Sequence, residues 1–379
     1  MPIKILDIVW YKILPARFGG QKGIEGFLTA LSESCEVVLL CSKNNEPTGA
    51  EPYKVLPLLP TSKIQFMNAA NWRLIRRICV EEEITHICME HPYYSWGVRY
   101  ANRMLHLPVI IHSHNIEAER FKSLGKWWWK RLWKYEGYAH RKADFSLFKT
   151  ALDMAYAVEQ YHVSAEKCMV LPYCLSPKHK VYNKMSSADI IRKRYHIPAA
   201  NTILLFSGTL DYKPNAAAVE KIYSHIAPLM HNTFPYPFTI LICGRNELPA
   251  FNYLEHLQHP NIQQIGFVEN IDELTAAADI FINPVTGGGG IQTKIIDALG
   301  QDTTVVSFAC GATGIDNKST GNKLQVCNDG DYGQMVELIC YSMKQDLHIS
   351  PIFFENYSWA FHIKRLTKKV FILSNEAIS

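Results

Sequence analysis

The 379 residues are 48% hydrophobic and 20% charged, with a formal net charge of +4. Those values exclude a disordered or fibrous chain, leave room for two domains of ordinary size, and give no case for nucleic acid from charge alone. The ten cysteines form no CxxC pair, and Cys41, Cys88, Cys243 and Cys310 end or interrupt apolar runs, so they read as reduced, buried thiols rather than a disulfide frame or a zinc site.

IKILDIVW near the N-terminus reads as a strand without a cleavage site behind it, and no run of eighteen apolar residues exists, so a cytosolic protein is expected. EVVLLCS, THICMEH, LPVIIHSHN, DFSLFKT and KCMVLPYC continue the strand-like series through the first half. After a polar stretch, SPKHKVYNKMSSADIIRKRYHIP, a fresh series begins with TILLFSGTL, FTILICG, IQQIGFV, DIFINPV, TTVVSF and KLQVCN. Between these runs lie segments such as AANWRLIRRICVEEE, AAAVEKIYSHIAPLM and DYGQMVELICYSMK, whose apolar residues recur at three and four positions as on helices. Strands that are apolar throughout and alternate with helices imply parallel sheets covered on both faces. The expected organisation is a doubly wound Rossmann-like domain over residues 1–175, a second over 176–356, and a C-terminal helix within 357–379 that is spare for either domain, crossing back to the first being one arrangement.

The segment NPVTGGGGIQTKIIDAL, Asn283 to Leu299, puts four glycines between a strand-like and a helix-like run. At the carboxyl end of a parallel strand, glycines let backbone approach a phosphate, and a helix N-terminus there offers unpaired N–H groups. No GK[ST] follows, so this is not a Walker loop. Ile291, Ile295, Ala298 and Leu299 make an apolar stripe, while Lys294 and Asp297, three apart, share another face.

GGGGIQTKIIDALG resembles the donor-site segment of family four glycosyltransferases, retaining enzymes of the GT-B fold with two Rossmann-like domains and a cleft between them. FSGTLDYKPNAAAVE, ILICGRN and IGFVENIDELTAAADIFINP resemble the preceding segments of that family's C-terminal domain, in the right order. FGGQKGIEGFLTAL resembles its acceptor-side glycine loop, and IIHSHNIEAERFKSLGKWWWKRLWKYEGYAHRKAD its histidine-bearing segment. The resemblance implies a hexosyltransferase that moves a sugar from a nucleoside diphosphate to a hydroxyl with retention, in cell-surface polysaccharide or glycan synthesis. It implies that His114, Lys213 and Lys294 serve catalysis. It places Gly208, Thr209, Lys213, Gly244, Gly288, Gly289, Gly290, Ile291, Gln292, Lys294 and Asp297 on the donor, and Gly19, Gly20 and His114 on the acceptor side. Gly289 stands where the family has the first glutamate of its E-x7-E pair, Asp297 at the second, and Thr209 where an arginine often precedes the lysine; Lys294 is the candidate to restore the lost charge. The departing phosphate serves as base in such a scheme, so neither cofactor nor metal is expected.

Two rival metal signals are set aside. DGD at Asp329 to Asp331 reads as a turn and helix cap, and His112 and His114 share one side of a strand without a suitably spaced third ligand apart from Glu117. The stretch from Arg120 to Lys142 carries eight basic residues, four tryptophans and one acid, Glu136. It suits the inner face of a membrane or a lipid-linked acceptor, and the three consecutive tryptophans cannot all face one core. Nucleic acid is not expected, because no binding motif accompanies the charge. The competing readings are a sugar-nucleotide epimerase or hydrolase of similar fold, and a non-catalytic sugar-nucleotide-binding protein.

Overall fold

The structure, a computed structural model, describes residues 2–62, 65–288 and 290–376, with side chains through residue 369. The chain forms two compact units, Met1–Pro177 together with Ser358–Ser379, and Lys178–Tyr357.

The first unit holds a seven-stranded parallel sheet: β1 (Lys4–Val9), β2 (Glu36–Ser42), β3 (Lys54–Leu59), β4 (His86–Glu90), β5 (Val109–Ser113), β6 (Phe145–Phe148) and β7 (Cys168–Val170). They lie in the order β3-β2-β1-β4-β5-β6-β7. Along β1 the two-residue period sends Ile5 and Val9 into one core and Leu6 and Ile8 into another, so both faces are covered. The first core is closed by α1 (Gly19–Ser32); the second is closed by α2 (Ala69–Glu81) and α3 (Ser95–Ala101). Next come α4 (Glu117–Ser123), α5 (Trp129–Lys142) and α6 (Ala151–Tyr161). Strand β3 has no counterpart among the sequence expectations. It is a half-buried edge strand whose register shifts beside Pro57, and an edge with a proline carries little of the apolar signal that marks its neighbours.

The second unit carries six parallel strands: β8 (Thr202–Ser207), β9 (Phe238–Cys243), β10 (Ile262–Gly266), β11 (Ile280–Asn283), β12 (Thr304–Phe308) and β13 (Leu324–Cys327). Their order is β10-β9-β8-β11-β12-β13. The helices are α7 (Lys184–Arg194), α8 (Lys213–Lys221), α9 (Ala227–Thr233), α10 (Ile271–Ala277), α11 (Thr293–Gly300), α12 (Ala309–Ala312), α13 (Tyr332–Lys344) and α14 (Pro351–Asn356). The helical period read from Ala216 to Met230 is broken by a π-turn at Ile222–Ile226 ahead of Pro228, whose missing N–H cannot continue the ladder.

The final helix, α15 (Trp359–Glu376), belongs to the first unit. Trp359 is 4% exposed and its ring lies 6.0 Å from that of Phe27 on α1. Trp359→Ala is expected to destabilise this unit by about 3–5 kcal/mol, seen as a lower urea midpoint by circular dichroism. Leu152→Ala, at a position 63% exposed on α6, should change the midpoint by less than about 0.5 kcal/mol.

Candidate functional site

In both sheets the strand order reverses direction once, between β1 and β4 and between β8 and β11. Connections from the two strands at such a point leave toward opposite faces, and the crevice at their carboxyl ends is where open α/β sheets bind ligands. In the second unit, β8 runs into Gly208 and Thr209, and β11 into the stretch from Pro284 to the glycines. Both segments singled out in the sequence therefore flank the same switch point.

Three local contacts shape this end of the sheet. A Cβ on Gly244, after β9, would collide with the backbone carbonyl oxygen of Gly208, so only glycine lets the two loops run this close. Gly288 has φ +102° and a Cβ there would sit 2.8 Å from the Tyr212 hydroxyl; Gly290 has φ +75°. Lys221 holds the entry of the loop through the Thr286 hydroxyl and, at 3.4 Å, the Pro284 carbonyl. Gly289 lies outside the described residues.

The helix after the glycines begins at Thr293, later than its periodicity suggests. Gln292 stays extended (φ −82°, ψ 90°), so Ile291 and Gln292 belong to the loop and not to the helix stripe. Lys294 then reaches back along α11. Its ammonium donates to Asn215 Oδ1 at 3.1 Å and lies 4.2 Å from the centre of the Phe206 ring. Burial without a compensating carboxylate pushes it down to about 7. Asn215 also donates from Nδ2 to the Thr209 carbonyl at 2.9 Å, tying Lys294 to the loop after β8. Lys213, the first residue of α8, is exposed, and Asp297 is half-buried on α11. Tyr212, Asn215 and Lys221 carry no signal that singled them out in the sequence, although all three lie inside segments quoted from it.

In the first unit Gly19 and Gly20 open α1, whose entry is pinned by Gln21: its Oε1 accepts from the backbone N–H of Arg17 at 2.8 Å and of Phe18 at 3.1 Å. His114 follows β5. Its Nε2 meets Glu90 Oε2, while His112 Nδ1 meets Glu90 Oε1 at 2.8 Å. The partner shared by the two histidines is thus Glu90, from the neighbouring strand, and not Glu117. These three side chains bring one ligand atom each within 4.8 Å of one another, so a metal there would displace both hydrogen bonds. Burial holds both imidazoles well below their ordinary range.

Glu117 has its own partners. Burial pushes its carboxyl up, but His91, Arg120 and Tyr93 outweigh that and hold it down at about 2. Arg120 Nη1 donates to Oε2 at 3.1 Å and the Tyr93 hydroxyl at 2.9 Å. His91 sits at φ +72°, a strained backbone for histidine of the kind that clusters at functional sites.

The basic stretch divides into two roles. Trp127 is 77% exposed and Leu124 is 52% exposed, among the exposed Lys122, Lys126, Lys130, Arg131 and Lys134. Trp133 instead turns inward, its Nε1 donating to the Tyr156 hydroxyl at 3.1 Å. Glu136 is fully buried, and its two oxygens accept from the backbone N–H of Glu117 and Ala118 at 2.9 Å each. No helix among the described residues is long and apolar enough to cross a membrane. Of the DGD residues, Asp331 caps α13 by accepting from Gln334 N, and Asp329 accepts from Cys310 N, each at 2.9 Å.

The family described as Glycosyltransferase Family 4 matches residues 19–178, and that described as Glycosyl transferases group 1 matches residues 201–345. No curated protein matches the chain. Among solved structures it is similar to a glycosyltransferase from Rickettsia africae ESF-5, at 16% identity over 99% of both chains with a TM-score of 0.73. It is also similar to sucrose-phosphate synthase from Thermosynechococcus elongatus, at 14% identity over 98% of this chain and 100% of that one, TM-score 0.76. A third is Anabaena HepE in complex with UDP and glucose, at 14% identity over 100% of both chains, TM-score 0.66. At these identities the likeness is one of fold, the GT-B fold with its two Rossmann-like halves.

The Gly208–Gly244 approach gives a direct test. Gly244→Ala forces backbone against backbone and is expected to cost about 1–3 kcal/mol, lowering the thermal midpoint of the second unit. An unchanged midpoint would mean that the two loops are not held this close.

Proposed function

We propose that this chain, a member of glycosyltransferase family 4 and a glycosyltransferase, moves a hexosyl group from a nucleoside diphosphate to a hydroxyl with retention of anomeric configuration. The observation that carries the donor reading is the convergence at the β8/β11 switch point of the Gly208–Thr209 turn, the glycine loop and a half-buried Lys294 that forms no ion pair with a carboxylate among the described residues. Backbone N–H groups around Gly288 to Ile291 hold the diphosphate. Lys294 and Lys213 offset the charge that develops as the glycosidic bond breaks, and Asp297 accepts from ribose hydroxyls. The departing phosphate takes the acceptor's proton, which leaves the protein positioning and electrostatics as its share. In the first unit, Gly19, Gly20 and His114 serve the acceptor side and the sugar. The UDP and glucose held by the Anabaena relative make a uridine diphosphate sugar the first donor to try.

The exposed patch around Trp127 supports a second part of the reading, a lipid-linked acceptor met at an anionic membrane surface during synthesis of a cell-surface glycan. Lysines there attract head groups and the indole settles at their level.

The decisive experiment is incubation with labelled sugar nucleotides and simple acceptors, with the anomeric configuration of the product read by NMR. Acceptor-dependent release of nucleoside diphosphate with retention is expected. Inversion would overturn the mechanism, epimerised or free sugar would favour an epimerase or hydrolase, and binding without turnover a non-catalytic protein. Lys294→Met and Lys213→Met should each raise the donor KM or lower kcat by roughly tenfold or more while leaving the thermal midpoint of the free protein nearly unchanged.

Lys294 also predicts a pH effect. With its ammonium near 7 when free, a bound diphosphate favours the charged form, so donor binding above pH 7 takes up a proton and weakens as pH rises. Calorimetry in buffers of different ionisation enthalpy should show this uptake in the wild type and lose it in Lys294→Met. For the membrane, replacing Lys126, Lys130 and Lys134 by glutamine should reduce flotation with phosphatidylglycerol vesicles. A wild-type protein that never floats would end that reading.

A further inference from the structure

Glu90, the last residue of β4, is 1% exposed and carries a carboxyl group between two imidazoles. Nothing in the sequence pattern marks it. We propose that Glu90 is a positioning residue that fixes His114 as its Nε2–H tautomer, leaving Nδ1 as a hydrogen-bond acceptor for a sugar hydroxyl. The proposal rests on the reading of His114 as a sugar-contacting residue.

Donor and acceptor supply decides which ring nitrogens carry protons. A neutral carboxyl group has one proton and could serve one ring as donor; an ionised one accepts from both at once. Both rings are neutral in this environment, because burial disfavours their charged forms. Each neutral ring has a single N–H, and a carboxylate draws that N–H toward itself: Nδ1–H of His112 and Nε2–H of His114. Lys149, 4% exposed, belongs to the same buried cluster: burial pushes its ammonium down to about 8, and Glu90 acts the other way. For Asp7, the other buried acid nearby, burial and after it the charge of Glu90 raise the carboxyl well above the usual range.

The plane of the His114 ring is fixed as well. The centre of the ring lies 4.6 Å from those of both His112 and His91, tilted 40° to the first and 30° to the second. His91 owes its position to the strained backbone at φ +72° and to the hydrogen bond from its N–H to the His112 carbonyl at 2.9 Å. A ring so held presents a lone pair at Nδ1. A lone pair accepts from a hydroxyl and repels a phosphate oxygen, which is an acceptor only. His114 is therefore matched to the sugar and not to the diphosphate.

The test reads the tautomer directly. In protein labelled with 15N-histidine, long-range 1H–15N correlation at neutral pH, with the His114 signal assigned by its loss in His114→Ala, should show His114 protonated at Nε2 and His112 at Nδ1. Glu90→Gln should mix the His114 tautomers and lower kcat by roughly tenfold to a hundredfold, with a smaller effect on donor KM. In the His114→Ala background, Glu90→Gln should add little further loss, because the two act through one contact. His114 protonated at Nδ1 or doubly protonated in the wild type would overturn the proposal, and that measurement needs no variant of Glu90 to fold. Additive losses in the double variant would overturn it too. Full turnover by His114→Ala would instead overturn the sugar-contact reading, and the spectrum would still decide what Glu90 does to the ring.

Discussion

Everything functional in this chain depends on one topological constraint, the single reversal of strand order within an otherwise uniform parallel sheet. Parallel strands need crossover helices, and the crossovers bury both faces. Where the order runs one way, successive loops pack beside one another. At the reversal, between β1 and β4 and between β8 and β11, the loops part. Polar groups collected there can meet a ligand, while the same groups elsewhere would be sealed under helices. Glu90 and His91 end the strand on one side of the first reversal, and the loop leading to Gly19 leaves the strand on the other. The glycine loop and the Gly208–Thr209 turn do the same at the second.

The two units use opposite electrostatic solutions at these points. The second sets a half-buried cation against neutral groups, the Asn215 amide and the Phe206 face, so Lys294 keeps its capacity for an anion. A carboxylate partner would have satisfied it and removed that capacity. The first unit buries an acid among bases, with Glu90 hydrogen-bonded between two imidazoles, so both its oxygens are already engaged. Such a cluster has little to offer an anion, but it can set the direction of each N–H. One end is suited to charge, the other to hydroxyl groups.

The fold was legible wherever burial is complete. Strands such as TILLFS and FTILIC are buried at every residue and announce themselves as unbroken apolar runs. The edge strand β3 was silent because half its surface is wet and a proline interrupts it. The glycine loop was legible as a loop, but the start of α11 was not: apolar periodicity extends through Ile291, and only the extended backbone at Gln292 shows where the helix begins. Side-chain partnerships across strands were beyond reach. Spacing along β5 put His112 and His114 on one side and suggested Glu117 as the nearest acid, yet the acid they share lies on β4, 22 and 24 residues away. Register between strands decides such pairings, and one sequence does not specify register.

Glu136 shows how two features that look independent in the sequence become one element. It is the lone acid in a strongly basic stretch. In the structure it points inward from α5 and receives the first backbone N–H groups of α4, with the Tyr161 hydroxyl donating to the same carboxyl at 2.8 Å. Burial raises it to about 7 although these hydrogen bonds pull the other way. The short segment from His114 to Glu117 is thereby held at both ends, by Glu90 on the strand behind it and by Glu136 on the helix ahead. The helix α5, which follows the turn at Trp127 and exposes Lys130, Arg131 and Lys134, is thus anchored, through its one buried carboxyl group, to the loop that presents His114. Two hydrogen bonds therefore join α5 to that loop.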